Sequence, residues 1–278
     1  MTAQNVNMRN MRLGIHEWFG RTPGKIMLDF EIQHISQRLP EMFGYELLQV
    51  GQLSSADMLA SSLILRRSII DIDTTMCATS YPTMRGHADA LPIASDSIDV
   101  VILPHVLEFE SRPHQTLREV QRVLVPEGNL LICGFNPWSM LGVWRSVLNR
   151  SGTFPWCGEF FGLSRVRDWL ALLSFDVVAV DNFFFRPPFA SDHLMERLSN
   201  LEHIGPKAGG MLAGLYLISA RKRVSTLTPI KPRWTTQRRL ASVGLANPSV
   251  RTSASKQRRS RPELTLVHAG DTSGRSDS

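Results

Sequence analysis

Residues 85–136 read RGHADALPIASDSIDVVILPHVLEFESRPHQTLREVQRVLVPEGNLLICGFN and decide the fold of this chain. The unbroken apolar run at 100–103 is typical of a strand that is buried on both faces. An amphipathic helix is predicted over 113–124, and after a turn at 126–128 a second buried strand is predicted over 129–133. Strand, helix and strand with short links predict a parallel, right-handed crossover unit.

Three motifs in this stretch resemble those of one enzyme family. Residues 98–101 read IDVV, like the F-D-x-V of a fourth strand, and residues 117–130 follow L-x-E-x-x-R-V-L-x-P-G-G-x-L with one change. Residues 87–93 read HADALPI where the family has D-A-x-x-L-P-F, so that His87 replaces the acid and Asp89 follows two residues later. In this order and spacing they resemble the type 11 family of class I S-adenosylmethionine (SAM)-dependent methyltransferases.

The resemblance implies an α/β fold over about residues 14–220. We expect a Rossmann-like, doubly wound, mostly parallel seven-stranded sheet with flanking helices, an N-terminal accessory helix and a final antiparallel hairpin. It also implies a transferase that moves a methyl group from SAM to an unidentified acceptor by in-line displacement. Two alternatives are a methyltransferase-fold scaffold without activity and a nucleic-acid-binding protein that acts through its tail.

The first strand, expected over 45–50, is followed by a reduced glycine motif. The family has G-x-G-x-G in the next turn, because backbone N–H groups approach the cofactor there without intervening side chains. This chain reads Gly51-Gln-Leu-Ser-Ser-Ala56 and keeps only the first glycine. The resemblance assigns Gly51 and Gln52 to the cofactor site, and a first crossover helix is predicted over 57–65.

Two acidic residues follow the second strand, which is predicted over 67–71. In doubly wound folds an acid at the end of this strand accepts hydrogen bonds from ribose hydroxyls. Asp71 is the candidate, with Asp73 as the alternative; a loop acid on the surface would look the same in sequence.

The segment after the third strand would hold the adenine ring. In the family, an acid in this segment accepts a hydrogen bond from the adenine amino group and the flanking backbone holds the ring edge. Either Asp89 takes that part, or His87 occupies its place, and a turn-forming Asp89 is the structural alternative. The expected contacts are His87, Ala88, Asp89, Ala90 and Leu91.

Cofactor and acceptor should meet where the fourth and fifth strands end. Leu103 and Pro104 are expected beside the cofactor, and His105 could act as a general base near pH 7. His105 could equally hold its loop or contact the cofactor, since proximity and in-line approach suffice for many methyl transfers. Asn136 and Trp138 are candidates for the acceptor pocket; the alternative is a capped helix start with Trp138 in the core.

A helix ahead of the first strand is predicted over 23–38. It could roof the cofactor site or be a packing helix. Its expected inner residues are Ile26 and Phe30, with Gln33 and Ile35 as further candidates.

The positive charge is confined to the C-terminal part of the chain. Of 31 Lys/Arg and 25 Asp/Glu, 13 and 3 lie from residue 221 onward, which leaves 18 basic against 22 acidic residues before it. Residues 1–13 and 221–278 are predicted to be disordered. The basic cluster at 256–261 could make weak contacts with nucleic acid or an anionic surface, or could be merely solvated.

The cysteines and the hydropathy exclude several protein classes. Three widely spaced cysteines suggest neither a disulfide framework nor a metal knuckle, so a reducing cytoplasm and no metal are expected. No apolar run approaches the length of a membrane span, and the first residues lack the apolar core of a signal peptide.

Overall fold

A computed structural model describes most of the first four-fifths of the chain, and all of the described residues lie within one compact unit, Met1–Leu227. The described residues are 11, 13–74, 80–148, 156–187, 193, 197 and 212–223. Residues 11 and 13 are described and helical, although disorder was predicted for 1–13. The rest of that segment and the tail beyond 223 lie outside the described residues, so the disorder predicted there stays a prediction.

Seven strands form one sheet in the order β3-β2-β1-β4-β5-β7-β6. The strands are β1 Glu46–Val50, β2 Arg66–Asp71, β3 Thr83–Arg85, β4 Ile98–Pro104, β5 Leu124–Phe135, β6 Phe175–Phe183 and β7 Leu215–Lys222. The first five run parallel, while β7 is antiparallel to both β5 and β6. The predicted Rossmann-like sheet with its antiparallel hairpin is confirmed, and β7 continues two residues past the expected boundary at 220.

Helices cover both faces of the sheet. They are α1 at 13–19, α2 Gly24–Arg38, α3 Pro113–Val123, α4 Met140–Leu148 and α5 Leu163–Leu172. Along β4, Val100 and Ile102 belong to the apolar cluster that includes α1 and α2. Val101 and Leu103 belong to the opposite cluster, with α3 and α5. The unbroken apolar run at 100–103 arises because successive side chains point to opposite, equally buried faces.

The predicted crossover helix over 57–65 is wrong. Residues 51–65, all of which are described, contain turns and no helix. The side chains of Ser54, Asp57 and Ser62 each accept a hydrogen bond from the backbone N–H two residues later, at 3.0, 2.8 and 3.2 Å. Such local bonds compete with the helical pattern, and the Arg67 guanidinium holds the resulting loop by donating to three of its carbonyl groups.

Glu119 and Arg122, from the motif at 117–130, fix the loop that precedes β4. Glu119 accepts a hydrogen bond from the Leu91 N–H at 3.0 Å, and Arg122 donates to the carbonyl oxygens of Leu91 and Ile93 at 3.0 and 2.8 Å. The hydrogen bond from Arg122 lowers the pKa of Glu119, which keeps this pair charged. We call the pair of Glu119 and Arg122 the clamp. The motif therefore ties α3 to the segment that was expected to hold adenine.

Asp99 has a structural role at the start of β4. Its Oδ2 atom accepts the backbone N–H groups of Tyr45 and Glu46 at 2.8 and 2.9 Å, which fixes the entry into β1. A Cβ atom on Gly44 would lie 2.3 Å from the Asp99 Cβ, so this close approach requires glycine.

The predicted turn at 126–128 is an irregularity within β5 rather than its beginning. Glu127 has a φ of 62°, and the pairing with β4 passes from Leu124 opposite Ile98 to Asn129 opposite Val100. The extra residues of β5 bulge out of its pairing with β4. Because the strand continues through this bulge, β5 begins five residues before the predicted start at 129.

Candidate active site

The carboxyl ends of β1 and β2 are joined by a single buried carboxylate. Gly51 has a φ of 82°, which favours glycine, and its N–H donates to the Ile70 carbonyl at 2.7 Å. Asp71, only 5% exposed, accepts the Gln52 N–H on Oδ2 at 2.7 Å and the Ile72 N–H on Oδ1 at 2.6 Å. Asp71 thus holds the reduced glycine turn against the end of β2.

Gln52 places an unpaired acceptor beside this turn. Its Nε2 donates to the Ser54 carbonyl at 2.8 Å, while its Oε1 is buried and has no hydrogen-bond partner among the described residues. Buried polar atoms are nearly always paired, so Oε1 is suited to a donor group of a ligand.

The segment expected to hold adenine forms a tight turn at the same edge. His87 and Ala90 make an isolated antiparallel bridge, which leaves Ala90 exposed and His87 half-buried. Ala88 and Leu91 point into the core. The Asp89 carboxylate is paired with Arg112, whose side chain is 69% exposed against 15% for Asp89.

At the end of β4, Leu103 is fully buried in the cluster that packs on α3, and Pro104 is also buried. His105 follows with a φ of 47°, which is uncommon for a residue other than glycine and marks a backbone position worth explaining by function.

His105 is fully buried between two carboxylates. Its Nε2 lies 2.7 Å from Oε1 of Glu31 on α2, and its Nδ1 lies 3.2 Å from Oε1 of Glu108. The ring stacks on Phe135 with centroids 3.9 Å apart, and the Phe19 ring centroid lies 5.6 Å away. Glu108 Oε1 also accepts the Phe135 N–H at 2.9 Å.

This arrangement favours the protonated form of the ring. Burial alone would lower the pKa of His105, but the charges of Glu31 and Glu108 and their hydrogen bonds raise it to about 10. A protonated ring with both nitrogens engaged has no lone pair with which to remove a proton. The general-base role remains a prediction, and the contacts favour the alternative in which His105 holds the loop.

Glu31 and Glu108 were not singled out from the sequence. On α2 the fully buried positions Met27, Glu31 and Ile35 are four residues apart, whereas Ile26 and Phe30 are only partly buried and Gln33 is exposed. A glutamate on the i, i+4 apolar face of a helix requires a buried partner, and this spacing was the signal available in the sequence.

Asn136 and Trp138 follow β5 at the same edge. The Asn136 side chain donates to the Ala213 carbonyl at 2.8 Å and accepts the Trp138 N–H at 3.1 Å, so it braces the turn before α4. Trp138 is 75% exposed, which rules out the alternative that placed its ring in the core. α4 begins at Met140, so Trp138 lies in the turn before the helix.

Among the described residues there is no group of three or more His, Cys, Asp or Glu side chains placed to hold a metal ion. In the same part of the chain, no helix is both long enough and apolar enough to cross a membrane.

Comparison with known proteins decides the family. The family model described as "Methyltransferase domain" matches residues 50–132. The chain is 34% identical over 203 residues to the uncharacterized protein YafS of Escherichia coli K12, covering 69% of this chain and 75% of YafS. The chain belongs to the type 11 family of class I SAM-dependent methyltransferases. This methyltransferase therefore transfers a methyl group from SAM to an acceptor that is still to be identified.

Two further relatives agree with the assignment. The methyltransferase is 28% identical over 136 residues to the ubiquinone/menaquinone biosynthesis C-methyltransferase UbiE of Roseobacter denitrificans, covering 45% of this chain and 52% of UbiE. Its fold resembles a SAM-dependent methyltransferase of Thermotoga maritima, titled a "possible histamine N-methyltransferase", with a TM-score of 0.54 and 18% identity. That match covers 69% of this chain and 87% of the other.

The site of this methyltransferase suits SAM, although its glycine motif is reduced. Gly51, whose backbone is in the left-handed region, follows β1 directly. Next to it, Gln52 Oε1 is a buried acceptor without a hydrogen-bond partner among the described residues. Asp71 places a buried carboxylate at the end of β2, the position at which doubly wound folds hold ribose hydroxyls. The ammonium and ribose hydroxyl groups of SAM are hydrogen-bond donors.

Proposed function

We propose that SAM binds across the carboxyl ends of β1, β2 and β4 of this methyltransferase. Gln52 Oε1 carries the proposal, because it is a buried acceptor without a partner in the described part of the chain, beside the left-handed Gly51. Gly51 and Gln52 would hold the amino-acid end of the cofactor, and Asp71 the ribose hydroxyls. Bound SAM supplies a methyl group activated by its sulfonium.

The adenine ring is proposed to lie against the turn at 87–91. Asp89 would accept the adenine amino group, and the backbone of Ala88, Ala90 and Leu91 would flank the ring. The clamp formed by Glu119 and Arg122 supports this role, since it fixes one end of the turn before any ligand arrives.

The acceptor is proposed to enter beside β5, next to Asn136 and Trp138. Trp138, Met140 and Val143 are exposed by 75%, 51% and 58%, an apolar rim that favours an acceptor with an apolar or aromatic part. A general base is not needed, because residues that orient the acceptor and exclude water provide the main rate enhancement. Turnover assays with paired apolar and polar acceptors would test this preference.

Titration of SAM into three variants tests the adenine contact. Asp89→Ala removes the acceptor and should weaken binding by roughly tenfold, as expected for the loss of one hydrogen bond. Arg112→Ala is the matched control, because it breaks the same ion pair but keeps the Asp89 carboxylate. Equal losses of SAM affinity in Asp89→Ala and Arg112→Ala would contradict the placement of adenine at Asp89. So would a loss of affinity in His87→Ala alone.

We also propose that the basic tail from residue 221 makes weak contacts with polyanions and that the protein works in the cytoplasm. The charge count supports the first proposal, with 13 Lys/Arg against 3 acids. The unpaired thiols of Cys133 and Cys157 support the second. Binding of a short nucleic-acid duplex that falls steeply with added salt is the expected sign of the tail contact.

A further inference from the structure

Three unusual features coincide where β4 ends. His105 adopts a φ of 47°, its ring lies between two fully buried carboxylates, and each of these carboxylates leaves one oxygen unpaired. Glu31 Oε2 and Glu108 Oε2 are buried and have no hydrogen-bond partner among the described residues. Each feature raises the free energy of the folded protein, and such features persist in proteins mainly at functional sites.

Stability alone does not explain the cluster. A buried ion pair is often no more stabilising than well-packed apolar side chains of similar volume, because desolvation of the charges offsets their attraction. The surroundings are already apolar and aromatic, with Phe19, Phe135 and Cys133 all at most 1% exposed. A leucine or methionine at position 31 would fit this setting without any charge.

The cluster connects the parts of the fold that border the proposed crevice. Glu31 comes from α2, His105 from the end of β4, and Glu108 accepts the Phe135 N–H at the end of β5. The His105 ring therefore connects α2 to the ends of β4 and β5, where cofactor and acceptor are proposed to meet. A second tie of α2, from Arg38 to Asp181 on β6 at 2.7 and 2.8 Å, lies at the C-terminal end of the helix.

We propose that Glu31 is a positioning residue for methyl transfer, which acts through the His105 cation to hold α2 and the end of β4 in the geometry that binds SAM. This inference rests on the proposed placement of SAM at this edge. Among the described residues, Glu108 also faces the ring, and the Cys133 thiol and the Tyr216 hydroxyl interact electrostatically with Glu108. Burial raises the pKa of the Cys133 thiol and of the Tyr216 hydroxyl, so neither supplies a charge in place of Glu31.

The test compares Glu31→Gln with Asp181→Asn in the full chain. Glu31→Gln keeps the shape and a hydrogen-bonding oxygen but removes one of the two negative charges that face His105. In spectra of ¹⁵N-histidine-labelled protein, with His105 assigned from a His105→Asn variant, its titration midpoint should fall by about one unit or more. SAM affinity measured by titration at pH 8 should fall by about tenfold, the equivalent of one ordered contact. Asp181→Asn should leave both quantities unchanged.

A triple variant separates positioning from folding. Glu31→Leu, His105→Asn and Glu108→Gln together remove all three charges, keep a residue that tolerates a left-handed backbone at 105 and keep an acceptor for the Phe135 N–H. We expect it to unfold at a urea concentration close to that of the wild type while it binds SAM at least tenfold more weakly.

The outcomes distinguish the two proposals. Wild-type affinity in a folded Glu31→Gln or triple variant would overturn the positioning role while leaving the SAM site intact. A shift of the His105 midpoint in Asp181→Asn would also overturn it. Absence of SAM binding by the wild type itself would overturn the proposed site and the positioning role with it.

Discussion

Replacing Asp71 by asparagine should destabilise the protein more than the same change at Asp99. Asp71 uses one oxygen for the Gln52 N–H and the other for the Ile72 N–H, whereas a single oxygen of Asp99 accepts both of its backbone donors. An amide has one oxygen, so Asp71→Asn loses a bond and turns an NH₂ group toward a buried N–H. Asp99→Asn can keep both bonds.

The magnitudes follow from these contacts. A hydrogen bond to a charged group contributes about 1.5–3 kcal/mol, so Asp71→Asn should lower the free energy of unfolding by about 2–3 kcal/mol. Asp99→Asn loses only charge assistance and should cost about 1 kcal/mol or less. Urea unfolding followed by tryptophan fluorescence and extrapolated to water measures both values. Equal losses, or a larger loss at Asp99, would refute the assignment of Asp71 as the tie between the glycine turn and β2.

Three further predictions concern the clamp, the buried cation and the tail. Arg122→Met removes donors to two loop carbonyls and should lower the free energy of unfolding by about 2 kcal/mol in the same urea assay, with a loss below about 0.5 kcal/mol counting against the clamp. The pKa of His105 is raised from 6.5 to about 10, so its contribution to stability is complete below pH 6.5 and is lost as pH rises through 10. Urea unfolding of His105→Asn across this range should therefore be less sensitive to pH than the wild type, and parallel curves would contradict the buried cation. Removal of residues 224–278 should leave the melting temperature and SAM affinity nearly unchanged, and a large fall in either would show that the tail is part of the fold.

The sequence predicted the sheet well because β4 and its neighbours carry local signals. The run at 100–103 is apolar throughout, and the helix that follows shows a clear periodic face, so both elements could be identified without tertiary information. The loop at 51–65 was misread because its backbone N–H groups donate to Ser and Asp side chains two residues earlier. Those residue types also occur at helix starts, and only the folded geometry distinguishes the two uses.

The site was predictable in part. Gly51, Asp71 and the turn at 87–91 lie at the expected edge, because the carboxyl ends of parallel strands must meet there. The environment of His105 was not predictable, since it depends on a glutamate 74 positions away in the chain. A single histidine at a strand end suggested a base, and the two carboxylates that keep it protonated became apparent only from the packing of α2.

Titration calorimetry of SAM, and of its demethylated product S-adenosylhomocysteine, into the full chain measures whether the proposed site holds the cofactor. We expect saturable binding of one molecule per chain for both ligands, together with a rise in melting temperature as ligand concentration increases. A lack of both heat and thermal stabilisation at millimolar ligand would contradict this expectation. That result would mean that the reduced turn at Gly51 no longer holds the cofactor on which the family's chemistry depends.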